Sequence, residues 1–186
     1  MNKQIDDHLH AVESVRRQVT LLESIAVRII EVFRGGGKVY VLGNGGSAAD
    51  AQHIAAELLG RFKRNRRALP AIALTTDSSS LTAIGNDLGG DQIFRRQVEG
   101  LVAEGDVVWA LSVSGRSPNV LCALEAAKER GAVVVGFTSQ SGGLMAEYCD
   151  MCLKIDAEGG DRVQEAHELA YHLICDRVEQ AFATGS

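Results

Sequence analysis

Lys38-Val39-Tyr40-Val41-Leu42-Gly43-Asn44-Gly45-Gly46-Ser47-Ala48-Ala49-Asp50 is an apolar run that breaks into glycines and opens on a helical pattern. A short run of β-branched and aromatic residues closed by glycine reads as a buried strand, and Ala48 to Leu59 behind it reads as a helix. The alternation recurs downstream. Apolar runs stand at Ala71-Ile72-Ala73-Leu74, at Val107-Val108-Trp109-Ala110-Leu111, from Ala132 to Phe137 and from Met151 to Ile155. Helical stretches separate them: Ser79 to Gly100, with a break expected at Gly85 to Gly90, then Asn119 to Arg130 and Leu144 to Cys149. A last helix is expected from about Asp161 to Phe182. Strands alternating with helices join by right-handed crossovers into a parallel sheet covered on both faces. The fold class is therefore α/β, a doubly wound five-stranded parallel sheet flanked by helices. Ligands of such sheets bind beyond the carboxyl ends of the strands, near the point where strand order reverses.

Upstream of the first strand, Ile5, Leu9, Val12, Val15, Val19, Leu22, Ile25, Ile29 and Phe33 recur at steps of three and four. That spacing predicts one long amphipathic helix, or two end to end, over residues 3 to 34, stopped by Gly35-Gly36-Gly37. At 1.5 Å per residue it would be about 45 Å long, more than a small domain covers. A partner subunit is expected to bury part of it. Residues 1–34 thus read as a helical oligomerisation segment and residues 35–186 as the ligand-binding part of one structural domain.

Composition bounds the rest. A chain of 186 residues, 46% hydrophobic and 23% charged, has the length and apolar content for one α/β core and excludes a disordered chain. Net charge is −5, a poor match for nucleic acid. No apolar run approaches the roughly 20 residues that span a bilayer, and the polar start, Met1 to Arg17, carries no signal-peptide pattern. A cytoplasmic protein with no nucleic-acid or membrane partner is the expectation. Arg61-Phe62-Lys63-Arg64-Asn65-Arg66-Arg67 is locally basic and reads as a solvated loop, or as a contact for an anionic substrate or a neighbouring subunit. Cys149 and Cys152 form a C-x-x-C, but it precedes a strand and has no second pair, so the four cysteines read as buried or half-buried thiols.

Two loops carry the chemistry. Gly43 to Asp50 combines glycines with a helix start, which favours an anion. It also fits a loose G-x-G-x-x-A dinucleotide fingerprint, but no acidic residue closes the second strand about 20 residues on, and Asp77 is too far away. Ser112-Val113-Ser114-Gly115-Arg116-Ser117-Pro118-Asn119 sets three hydroxyls and a glycine at the mouth of a helix, a site for a phosphate monoester. On the helix behind the first loop, His53 and Glu57 stand four residues apart and share a face. The last helix adds Gln164, Glu165, His167 and His172. Imidazoles, a carboxylate and an amide oxygen suit zinc or a similar divalent ion, and a carboxylate beside a histidine suits acid/base chemistry. Gln164 and His172 are separated by about 12 Å of helix rise, a long reach for two ligands of one ion.

The motifs GNGGSAADAQHIAAEL, LTAIGNDLG, SVSGRSPNV and DRVQEAHELAYHLI resemble the sugar isomerase (SIS) domain family and, within it, the phosphoheptose isomerase branch. The resemblance runs over essentially the whole chain. It implies a homotetramer that interconverts D-sedoheptulose 7-phosphate and D-glycero-D-manno-heptose 7-phosphate through an enediol, the first step towards nucleotide-activated heptoses. It also implies the roles of individual residues. Asn44, Gly45, Gly46, Asn86, Asp87, Ser112, Val113, Ser114, Ser117, Glu57 and Gln164 would contact the sugar phosphate. His53, Glu57, Gln164 and His172 would hold one Zn2+ per subunit, and Glu57 and His172 would serve as base and acid. Glu57 is then ligand in one state and base in another. Some similar SIS proteins instead bind the bacterial replication initiator without catalysis and lack that glutamate and histidine; Glu57 and His172 weigh against that alternative. A nucleotide-dependent oxidoreductase has no use for a second anion loop at Ser112.

Overall fold

The computed structural model describes residues 1–183; residues 184–186, the end of the predicted 35–186 unit, lie outside the described residues. Five strands, β1 (Val39–Gly43), β2 (Ala71–Ala73), β3 (Val107–Leu111), β4 (Val133–Ser139) and β5 (Met151–Ile155), form one sheet in the order β2-β1-β3-β4-β5. Every neighbouring pair is parallel. Each strand lies within two residues of its predicted position. Alternate residues face opposite ways, as the two-residue period of a strand requires. Val39, Val41, Val107, Trp109, Val135 and Phe137 enter one core cluster, while Tyr40, Leu42, Val108, Ala110 and Val134 enter the other. Burial on both faces is why the strands read as unbroken apolar runs.

One face carries α1 (Asn2–Arg16), α2 (Val19–Arg34), α3 (Gly46–Leu59) and α7 (Gly160–Gln180). The other carries α4 (Ser78–Asp87), α5 (Arg95–Leu101) and α6 (Pro118–Glu129). The amino-terminal segment is two helices rather than one. Gln18 Nε2 donates to Ser14 O at 3.1 Å and to Lys154 O at 2.7 Å, while the Gln18 backbone N–H goes to Val15 O. The side chain takes the carbonyl that an unbroken helix would give to its own backbone, so the first helix ends there. Val15, Leu22, Ile25, Ile29 and Phe33 are buried against the sheet. Ile5, Leu9 and Val19, from the same predicted apolar face, stay 58%, 58% and 57% exposed in the single chain.

The stretch Ser79 to Gly100 breaks as expected, after Asp87, into α4, a single 3₁₀ turn at Gly90–Gln92 and α5. The helix expected at Leu144 to Cys149 is not one. It is a 3₁₀ turn, Met145–Glu147, because the Asp150 N–H already bonds Val134 O and commits the chain to β5. The four cysteines are free thiols, Cys175 buried and the others half-buried. Among the described residues no helix is long and apolar enough to cross a membrane.

Strand order reverses between β1 and β3. The loop after β1 leads through α3 towards β2, and the loop after β3 leads through α6 towards β4, so the two loops part and leave a crevice between them.

Candidate active site

The crevice is a cavity of about 370 Å3 lined by Asn44, Gly46 and Ser47 from the β1 loop, by Leu111 to Ser114 and Ser117 from the β3 loop, and by Gly160 and Gln164 of α7. The amino-terminal ends of α3, α6 and α7 all open onto it, and each contributes partial positive charge. Ser117 occupies the cap position of α6 without a side-chain cap bond, and its hydroxyl lies 3.4 Å from that of Ser112. Ser114 Oγ accepts from the Arg116 N–H at 3.2 Å. Hydroxyls gathered at helix amino termini suit an anion.

Two contacts shape it. Asn44 Nδ2 donates to Asn119 Oδ1 and Asn119 Nδ2 to Asn44 Oδ1, each at 2.8 Å, tying the two loops together. At Gly46 a Cβ would fall on the Gln164 amide, so the bare backbone leaves that side chain room to close over the loop. Gly45, at φ +56°, turns the chain into α3.

A second group stands along α3 and α7. His53 Nε2 lies 3.1 Å from Glu57 Oε1 and 3.5 Å from His172 Nε2, and Tyr171 Oη pairs with His53 Nδ1 at 2.9 Å. Ligand atoms of His53, Glu57 and His172 all lie within 4.8 Å of one another. Burial and the neighbouring His53 push the His172 imidazole below its ordinary value. Burial pushes the Tyr171 hydroxyl up, so it stays protonated beside His53. Two imidazole nitrogens and a carboxylate gathered this closely fit a divalent ion of zinc's type.

Asp50 stands between the two groups on α3, buried, with Oδ2 unpartnered among the described residues. Burial raises its carboxyl to about 6, against the opposing pull of Gln164 and His53.

Of the residues expected from the sequence, Asn44, Gly46, Ser112, Val113, Ser114, Ser117 and Gln164 meet at the cavity. His53, Glu57 and His172 meet at the cluster. Gln164 lines the cavity, and eight residues of helix separate it from His172. Asn86 and Asp87 are not brought to either. They are exposed at the end of α4, where Asn86 Nδ2 donates to Asp87 Oδ1 at 2.7 Å. Asn119, Asp50, Tyr171 and Phe62, whose ring stacks on His172, were not legible as site residues. The available signals were the places of Asn119 and Asp50 at the ends of the two chemistry-bearing loops and of Phe62 in the basic stretch.

Comparison with known proteins agrees with the geometry. The family model described as the SIS domain matches residues 3–139. A phosphoheptose isomerase of Pelobacter propionicus is 53% identical over 161 residues, covering 87% of this chain and 85% of that relative. Among solved structures, phosphoheptose isomerase GmhA from Neisseria gonorrhoeae superposes with a TM-score of 0.90 at 38% identity, and a phosphoheptose isomerase from Francisella tularensis with 0.92 at 35%. Each alignment covers 96% of both chains.

Proposed function

Because the chain belongs to the SIS-domain family, among its phosphoheptose isomerases, we infer that the cavity holds the phosphate of an open-chain sugar and the His53–Glu57–His172 cluster acts on its carbonyl end. The protein is an aldose–ketose isomerase that converts D-sedoheptulose 7-phosphate to D-glycero-D-manno-heptose 7-phosphate, the first step of nucleotide-activated heptose biosynthesis. The observation that carries the reading is the pairing of a cavity at three helix ends with an acid/base pair farther along α3 and α7. A ligand with phosphate at one end and carbonyl at the other takes that shape. The relatives named above all carry the isomerase name, and none of these observations favours the replication-regulator alternative.

The chain's residues divide the work. The β3-loop serines and the helix ends hold the phosphate; Asn44, Gly45, Gly46 and Gln164 contact the sugar. The Glu57 carboxylate takes the proton from C1 and returns it to C2. His172 gives a proton to O2 and removes one from O1, so the carbonyl moves from C2 to C1 with no net gain or loss of protons. Proximity of Glu57 and His172 to each other supports assigning both to one enediol. His53, Glu57 and His172 would hold one Zn2+ per subunit, which when bound supplies Lewis-acid stabilisation of charge on the sugar oxygens. Asn86 and Asp87, exposed in the single chain, would contact the sugar from a neighbouring subunit.

The exposed Ile5, Leu9 and Val19 support residues 1–34 as an oligomerisation segment, and we assign the protein to a cytoplasmic homotetramer. A light-scattering mass of one chain at micromolar concentration would sink that assignment. The activity is tested by incubating the purified protein with sedoheptulose 7-phosphate, with and without chelator, and identifying the product by NMR. The aldoheptose 7-phosphate is expected; a wild-type protein that forms none is not this isomerase.

A further inference from the structure

Glu179 of α7 is 1% exposed, and its carboxylate is filled from the basic stretch Arg61 to Arg67. The backbone N–H groups of Phe62, Lys63 and Arg64 donate to it at 2.8, 2.6 and 2.8 Å. The fully buried Arg66 side chain brings its Nε within 3.5 Å of Oε1, a charge contact without hydrogen-bond geometry. Burial pushes the carboxyl up, and the three N–H groups with Arg66 outweigh it, so the group lies below its ordinary value. Consecutive N–H groups converging on one anion make a rigid nest. A second tie, Arg64 Nη1 to Asp176 Oδ1 at 2.7 Å, holds the same loop. At Arg64 and Arg66 the basic stretch is thus fastened within the chain, where sequence reading offered a solvated loop or an external contact.

Two consequences reach the acid/base pair. Arg66 donates from Nη2 to Glu57 O at 2.6 Å and from Nη1 to Gly60 O at 2.8 Å, satisfying carbonyls left open at the end of α3. Phe62 lies nearly parallel to the His172 ring, 9° between planes and 5.3 Å between centroids. The rings of His53 and Tyr171 meet His172 edge-on, at 78° and 65°. The χ2 angle of histidine has broad wells, so its plane is set by whatever packs on its face. Here that is Phe62.

We propose that Glu179 is a positioning residue of the isomerase, fixing the plane of the His172 imidazole through Phe62 and the last turn of α3 through Arg66. This rests on the assignment of Glu57 and His172 as the reacting groups.

The test compares Phe62→Leu, Phe62→Tyr and Glu179→Gln with the wild type; Glu179→Asp, shorter by one methylene, stands in if Glu179→Gln does not fold. The first readout is the NMR position of the His172 ring C–H protons in metal-free protein, which the stacked phenyl ring shifts upfield. The second is the split between kcat and KM for sedoheptulose 7-phosphate. Phe62→Leu and the Glu179 variant should move the His172 signals downfield and lower kcat by about tenfold or more, with KM changed less than twofold. Phe62→Tyr, which keeps a flat ring, should retain both wild-type signals and kcat. If Phe62→Leu leaves signals and kcat unchanged, or raises KM at constant kcat, the positioning role is wrong. A wild type without turnover would instead overturn the assignment of the reacting groups, and this proposal with it.

Discussion

Asn44 and Asn119 exchange two amide hydrogen bonds of 2.8 Å across the crevice between the β1 and β3 loops. The pair spans the point where strand order reverses, so it sets how far apart the two walls of the cavity stand. Each neutral hydrogen bond is worth about 0.5–1.5 kcal/mol. Asn119→Ala should therefore raise KM for the sugar phosphate by about tenfold with little change in kcat. Asn119→Asp should be worse, because it brings a carboxylate to an anion site. Steady-state kinetics checks both; an unchanged KM in the two variants would mean the loops are held by other contacts.

Gly46→Ala tests the other wall. The new Cβ would fall on the Gln164 amide, and relieving such a clash commonly costs about 1–3 kcal/mol. Because the obstructing atoms are the end of a flexible side chain, the helix should survive and Gln164 should swing out of the cavity. The expected outcome is a modest loss in Tm with at least tenfold weaker substrate binding, measured by thermal unfolding and calorimetric titration. Full affinity would show that Gln164 is dispensable to the ligand.

How far these features were legible follows from their origin. Strands and helices were readable because burial on both sheet faces leaves continuous apolar runs, and the glycine and serine loops stand where the chain leaves β1 and β3. Partnerships made by tertiary approach left no local trace. Glu179 meets residues 62–64 across more than a hundred residues of sequence, and nothing in a seven-residue basic stretch names that acid. Asp50 looked like any early helix residue until α7 packed over it. The reach argument from helix rise set Gln164 and His172 about two turns apart on α7; Gln164 lines the cavity, and His172 gathers with His53 and Glu57. The Met145–Glu147 turn was misread as a helix because its pattern is helical while its length is set by the next strand.

His167 gives the protein an acid limit. It is fully buried, its Nε2–H donates to Thr138 O at 3.3 Å, and Nδ1 has no partner among the described residues. Burial lowers its value to about 4, whereas the unfolded chain takes up the proton near the ordinary 6.5. The folded state thus refuses a proton that the unfolded state accepts. The stabilising contribution is complete above pH 6.5 and is lost as pH falls to 4, by about 3 kcal/mol in all. His167→Gln keeps a donor for Thr138 but cannot titrate. Urea unfolding between pH 4 and 7 should show its stability falling with one proton less of slope than the wild type. Equal slopes would mean that His167 takes up its proton as readily in the folded protein as in the unfolded chain.

The last prediction separates base from ligand at Glu57. Glu57→Gln keeps the size of the side chain and an oxygen facing His53, but an amide cannot take a proton from carbon at neutral pH. Turnover should fall by about 10²–10⁴-fold, the usual contribution of a positioned acid or base, while the sugar phosphate still binds the separate cavity. His172→Ala should cost a comparable factor. The double variant should lose little more than the worse single one, because both groups act on one transition state. The direct measurement is exchange of the substrate C1 proton with solvent deuterium, followed by NMR. A base sets that exchange rate itself. A residue that only held a metal would act through its affinity, and excess zinc would then restore exchange in Glu57→Gln. Exchange that stays lost at saturating zinc assigns the proton transfer to Glu57; exchange restored to the wild-type rate would make Glu57 a ligand alone and move the search for the base to His172 or Asp161.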